Sequence, residues 1–359
     1  MNNHPYRQLP DRAYWRRSVA APNLADVDPV GQFDLQLTPQ TLVATAGSCF
    51  AQHIARHLKK AGFNYYVAEP GHPILSQQVR EQQGYGLFSA RYGNVYTARQ
   101  LRQLVERAVG MFHPSEPPWV DADGSVRDPF RPTVQPGNFV SVNEMEADQR
   151  QHLSCVKVML QKLNVFVFTL GLTEAWVSRN DGAAFPICPG INGGTFDPER
   201  YEFCNFSVAE VVADMEAAMT VLRSINAEAQ VVLTVSPVPL AATAAPGAHV
   251  LTATTYSKSV LRVAAQMLTE TYSFVHYFPS YEIVTGSYNR GAYFAEDLRN
   301  VTEAGVNQVM RLFLAHATAE GSYADKRVHR ETETQGTDVT AVSAAFVEAE
   351  CDEAELDSL

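Results

Sequence analysis

Five short runs rich in β-branched or aromatic residues, at 41–46, 64–67, 165–169, 231–235 and 273–278, each stand beside a stretch with helical periodicity. Near-continuous apolar strands separated by amphipathic helices are the rhythm of a parallel sheet. Both sheet faces must be covered, and parallel neighbours need a crossover between them. The pattern predicts helices over about 50–61, 143–163, 207–226, 256–271 and 302–318. Right-handed crossovers then give an α/β fold, a three-layer α/β/α sandwich with a mainly parallel sheet. At 359 residues, 46% hydrophobic and 19% charged, the chain can bury one large domain of this kind or two smaller ones.

Ligands of open α/β sheets bind beyond the carboxyl ends of the strands, and the unusual residues gather there. Gly47-Ser48-Cys49 follows the first run, Gly171-Leu172-Thr173-Glu174 the third, Ser236-Pro237-Val238-Pro239 the fourth and Pro279-Ser280-Tyr281-Glu282 the fifth. Residues 1–39 read as an N-terminal extension, and 40–320 as the main domain. Within it, about 71–142 reads as an insertion over the rim, holding a helix at 98–109 and a Pro- and Gly-bearing stretch at 119–137. Residues 321–359 read as an acidic, disordered tail.

The formal charge of −11 argues against a nucleic-acid or anionic-membrane surface, which needs clustered Lys and Arg. A small molecule or a carbohydrate is the expected partner. No run of about 18 apolar residues exists, so no membrane span is expected, and no leader pattern opens the chain, so a cytoplasmic location is expected. Five widely spaced cysteines without a C-x-x-C pair suit reduced thiols rather than a zinc site. No phosphate-loop or dinucleotide-binding glycine pattern follows a strand, so no cofactor is expected.

The best place for chemistry is the turn at Gly47. A glycine there allows a sharp turn, and the N–H groups that open the next helix point toward developing negative charge. Cys49 is helped toward thiolate by a helix N-terminus, whereas Ser48 needs a base within hydrogen-bond reach. In the competing reading Cys49 packs as a small hydrophobe and Ser48 caps the helix.

Gly47-Ser-Cys-Phe-Ala51 resembles the signature of the GSCFA domain family, a branch of the SGNH/GDSL hydrolase-like clan. Further blocks extend the likeness over about 40–318: Ser89-Ala-Arg-Tyr-Gly-Asn-Val-Tyr-Thr97, Asp128-Pro-Phe-Arg-Pro132, Thr169-Leu-Gly-Leu-Thr-Glu-Ala-Trp176, Thr234-Val-Ser-Pro-Val-Pro-Leu240, Ser257-Lys-Ser-Val-Leu-Arg262 and Tyr277-Phe-Pro-Ser-Tyr-Glu282. The resemblance implies a serine-type ester hydrolase or acyltransferase. Its nucleophile would be Cys49 if the glycines align, or Ser48 if the turn shifts by one. Gly171 would stand at the oxyanion glycine, and Thr173 where an Asn is usual, with Glu174 beside it to hold a substrate hydroxyl or orient a base. Asp297-Leu-Arg-Asn300 occupies the Asp-x-x-His slot, but an Asn cannot act as general base.

Two histidines could substitute: His249, in the loop after the fourth run, and His276, within the fifth. His53 and His57 suit a helix-surface pair better than a metal site. Lys258 and Arg262 could hold an anionic group or pair with acids, and Ser236 lies on the same rim. Arg91, Tyr92 and Asn94 could close over the site and read sugar hydroxyls. The first expectation is hydrolysis or transfer of an O-acyl group, such as a carbohydrate ester. The alternative is a noncatalytic or atypical carbohydrate-binding member of the same fold.

Overall fold

A computed structural model describes residues 4–318, with the backbone alone for Cys49 and Phe50. The acidic tail from 321 and the Cys49 thiol therefore lie outside the described residues.

Strand β1 (Val43–Ala46) runs into α1 (Cys49–Lys60). The α1 helix buries Ala51, Ile54, Ala55 and Leu58, one face at helical spacing. It ends where Gly62 takes the left-handed conformation (φ 80°). The insertion carries α2 (Gln77–Gln82), α3 (Ala98–Val109) and the antiparallel pair β2 (Trp119–Val120) and β3 (Val126–Arg127). The start of α3 is set by a capping box between Thr97 and Gln100. Helix α4 (Val142–Lys162) leads back to β4 (Val165–Leu170). Strands β5 (Glu174–Ser178), β6 (Ala184–Phe185) and β7 (Tyr201–Asn205) follow. The rest alternates: α5 (Val208–Ile225), β8 (Gln230–Val235), α6 (Val250–Thr271), β9 (Val275–Tyr277), α7 (Ser280–Thr285) and α8 (Glu303–Ala317).

The central sheet has the order β1-β4-β8-β9, all parallel. Alternation along the strands splits its side chains between two cores. Ala44, Ala46, Phe166, Phe168 and Leu233 face one core with residues of α3, α4, α5 and α6. Val43, Val165, Val167 and Val232 face the other with Ile54 and Leu58 of α1 and Val309 and Phe313 of α8. These are the three layers the periodicity implies. Val30, Phe33, Leu35 and Leu37 of the N-terminal extension also bury into the second core.

Two expectations change. The 64–67 run is not a full strand: it makes a single parallel bridge, Val43 to Tyr65. Its pairing stops because the Ala68 N–H turns to the Ser89 carbonyl in the insertion. A second, antiparallel sheet, β6-β5-β7, stands beside the first. Trp119, Phe185 and Tyr201 form a local aromatic core against it.

Candidate active site

Gly47 turns the chain from β1 into α1 at φ 145°. A Cβ there would sit 2.7 Å from Thr169 Cβ and 3.0 Å from the Thr169 carbonyl oxygen, so the turn lies directly on β4 and admits only glycine. Ser48 occupies the N-cap position with extended backbone, yet its hydroxyl makes no capping hydrogen bond. The residue is 4% exposed. Ser48 thus fills the place of a cap while its hydroxyl stays out of that role, and Cys49 is the first helical residue.

Residues 94–96 of the insertion cross the carboxyl ends of β1 and β4. The Val95 N–H donates to the Gly47 carbonyl at 2.9 Å, and the Tyr96 carbonyl accepts from the Gly171 and Leu172 N–H groups, both at 3.0 Å. A Cβ on Gly171 would lie 2.9 Å from that Tyr96 oxygen, so this glycine serves close backbone approach. On the other side, buried Lys258 of α6 donates to the Gly171 carbonyl at 2.7 Å. Ser257 Oγ accepts from the Thr173 N–H at 3.0 Å, and the Thr173 hydroxyl donates to Asn205 Oδ1 at 2.7 Å. The insertion and α6 therefore clamp the loop after β4 from both sides.

A sequence model of the GSCFA family matches residues 42–313. The chain belongs to the GSCFA family. Membership suggests a hydrolase-like fold, and the parallel sheet with its flanking helices agrees with it. A search among curated proteins finds no match.

Within this GSCFA fold the expected oxyanion donors are engaged inside the protein: the Gly171 N–H by Tyr96, the Thr173 hydroxyl by Asn205. Ser236 is buried, its N–H donating to the Leu170 carbonyl and its hydroxyl accepting from the Val238 N–H. Glu174 Oε1 accepts from the Thr243 hydroxyl at 2.7 Å, and burial raises its carboxyl.

The Asp297–Asn300 block forms an exposed turn closed on itself. Asp297 Oδ1 accepts the Arg299 and Asn300 N–H groups at 3.0 Å, and Asn300 Nδ2 donates to Asp297 Oδ2 at 2.5 Å. The backbone donors, Arg299 first, hold the Asp297 carboxyl below its usual range. His249 is exposed at the N-cap of α6, its Nδ1 accepting from the Leu251 N–H, while His276 Nε2 pairs with Gln230 Oε1 at 3.1 Å. His57 bonds Asn307 at 3.0 Å, as a surface residue would. Arg262 pairs with Glu282 at 2.8 Å and lies over the Tyr277 ring, so the ion-pair reading holds for it. Among the described residues, no group of three or more His, Cys, Asp or Glu is arranged to hold a metal ion, and no helix is long and apolar enough to cross a membrane.

Arg91 and Tyr92 are buried and tie the insertion to the core. The Arg91 guanidinium donates to Asp148, to Gln135 Oε1 and to the carbonyls of Gln83 and Val134. The Tyr92 hydroxyl donates to the Thr45 carbonyl. Arg131 sits alongside, bonded to Asp128, Asp148 and the Arg91 carbonyl. Asn94 is buried and lines a crevice next to them.

The sequence reading missed a carboxylate–histidine dyad in this network. His152 of α4 is 1% exposed, and its Nδ1 lies 2.8 Å from Glu69 Oε2, which also accepts the Arg91 N–H at 2.7 Å. Burial and Arg131 lower the His152 pKa against the pull of Glu69. Burial alone would raise the Glu69 carboxyl, but the bonds from His152 and Arg91 and the charge of Arg131 bring it below its usual value. The stable pair is therefore a neutral histidine beside a carboxylate. Nδ1 then carries the proton and Nε2 is an acceptor. One sequence signal was available: His152 sits on the buried stripe of α4 with Met145, Val156 and Met159.

Proposed function

We propose that the chain is an SGNH-like hydrolase or acyltransferase that acts on an O-acyl ester, such as an acylated carbohydrate, through an acyl-enzyme at Ser48 or Cys49. The observation that carries this reading is the turn itself: a strand, a glycine that no other residue can replace, and a Ser48 hydroxyl at the N-cap that does no capping. In the first step the nucleophile's oxygen or sulfur bonds to the acyl carbon, and its proton passes to a base. The negative charge on the carbonyl oxygen falls before the first turn of α1, at the positive end of the helix dipole. Collapse expels the alcohol and leaves the acyl group on the enzyme. Water completes a hydrolysis, and a second hydroxyl completes a transfer.

The alternative, a noncatalytic carbohydrate-binding member, is favoured by the Asp297–Asn300 turn. Asn300 takes the place of the usual histidine and spends its amide on Asp297. Turnover of p-nitrophenyl acetate and covalent labelling by an acyl-directed probe distinguish the two, measured on wild type, Ser48→Ala and Cys49→Ala. Loss of labelling in one variant identifies the nucleophile, whereas equal labelling in all three rules out both assignments.

A further inference from the structure

Beside the His152–Glu69 pair lies a crevice of about 30 Å³, lined by Asn94, Gln100, Gln103, Arg107, Arg131 and His152 among others. Water needs only about 10–15 Å³ by this measure, so there is space for roughly two waters or one molecule of four or so heavy atoms. Most of the polar lining is engaged. Gln100 Oε1 accepts the Tyr96 and Thr97 N–H groups, and Gln103 bonds the Gly182 carbonyl and the Ala184 N–H. Arg131 is held by Asp128 and Asp148.

Besides the Asn94 side-chain carbonyl, a buried acceptor in the same lining, two groups stand out. His152 Nε2 is buried and has no hydrogen-bond partner among the described residues. Its other nitrogen is fixed by Glu69, so this one is a lone-pair acceptor that only an O–H or N–H donor satisfies. Arg107, on α3, is partly buried, and its guanidinium lies over the Phe130 ring at 4.3 Å. Stacking uses the face of the guanidinium and leaves its N–H edge available. Among the described residues it makes no side-chain hydrogen bond and no ion pair. Burial lowers its pKa to about 10, opposed by Asp128 and reinforced by Arg131, as suits a cation short of compensating contacts.

We propose that this crevice binds a bicarbonate-sized oxyacid monoanion, its hydroxyl donating to His152 Nε2 and its charged oxygens accepting from Arg107. A buried histidine acceptor and a stacked cation in a space this small match a molecule with an O–H and an anionic end. A purely anionic ligand leaves the histidine nitrogen unmet, and a neutral alcohol brings no charge to the guanidinium.

The test uses the full chain, followed by calorimetry and by the ring ¹⁵N resonances of histidine. Bicarbonate is expected to bind saturably and to shift the His152 Nε2 signal. Formate has the charge without the hydroxyl and methanol the hydroxyl without the charge. Each is expected to bind at least about tenfold more weakly, the effect of one lost charge-assisted or buried hydrogen bond. Arg107→Gln, at a partly exposed position, is expected to keep its circular dichroism and to lose bicarbonate affinity about tenfold or more. The proposal is overturned if bicarbonate leaves the His152 signal unmoved, if formate or methanol matches bicarbonate, or if a folded Arg107→Gln binds bicarbonate as wild type does.

Discussion

Lys258 Nζ meets the Gly171 carbonyl at 2.7 Å with the lysine 1% exposed. The contact joins α6 to the loop after β4 on the side opposite Tyr96. Lys258→Met removes the donor while keeping the length of the aliphatic stem, and leaves a buried carbonyl short of a partner. Stability in urea is expected to fall by about 1.5–3 kcal/mol, the range for a hydrogen bond to a charged group. An unchanged midpoint and slope would show that the contact does not hold the loop.

Gly47 and Gly171 both face close neighbours, but for different reasons. Gly47 combines a left-handed φ of 145° with a 2.7 Å approach to Thr169 Cβ, whereas Gly171 has only the approach to Tyr96. Gly47→Ala should therefore cost more than Gly171→Ala, about 3 kcal/mol or more against about 1–2 kcal/mol. Thermal melts of the two variants check the order. The reverse order would mean that the β1–α1 turn relaxes freely.

Arg91 is expected to matter for folding before it matters for any ligand. Its guanidinium makes bonds to Gln83, Val134, Gln135 and Asp148 from a side chain 2% exposed. Arg91→Met is predicted to lower stability by about 3–5 kcal/mol, as breaking a buried ion pair does. A stable variant with weakened ligand binding would return Arg91 to the substrate role that its place in the insertion suggested.

His152 and Glu69 make stability fall in acid. The folded-state pKa of His152 lies below the unfolded value near 6.5, so the unfolded chain binds the proton first as pH drops. The associated stability is complete above that value and is lost on acidification through the lowered folded pKa. The Glu69 contribution follows below about 4.5 in the same direction. His53, lowered to about 4 by burial and then by Arg56 and His57, adds to the wild-type slope. Between pH 6.5 and 5, urea unfolding of wild type should exceed His152→Gln in slope by up to about 1.4 kcal/mol per pH unit. Coincident slopes would mean that His152 is not held neutral.

Asn300→His restores the residue expected in the Asp-x-x-His slot. Asp297 and Asn300 are exposed and bonded to one another, with Asp297 spent on the backbone of its own turn. The substitution is therefore expected to leave p-nitrophenyl acetate turnover within about twofold, far short of the 10²–10⁴-fold that a positioned base supplies. A gain of that larger size would place the turn at the nucleophile.

Much of the scaffold is legible in the chain. The helix at 98–109 carries its own stop and start signals, a Thr97–Gln100 capping box and Gly110 at its end, and it forms as read. The runs at 165–169 and 231–235 are apolar on both faces because both faces of β4 and β8 are covered. The short strands β5, β6 and β7 escaped because two to five residues with mixed burial give no clear period. The Glu69–His152 pair escaped because 83 positions separate its members and nothing local to either marks the other.

The sequence by itself determined the alternation of strands and helices, the glycine turn at 47 and the family, because these depend on local periodicity, backbone freedom and residue identity. Only the tertiary structure decided where the polar groups spend their bonds. It places Tyr96 on Gly171, turns Asn300 onto Asp297 and buries His152 against Glu69. A donor's partner is fixed by which distant segment packs against it, and hydrogen bonds of about 3 Å leave no trace in a pattern read along the chain.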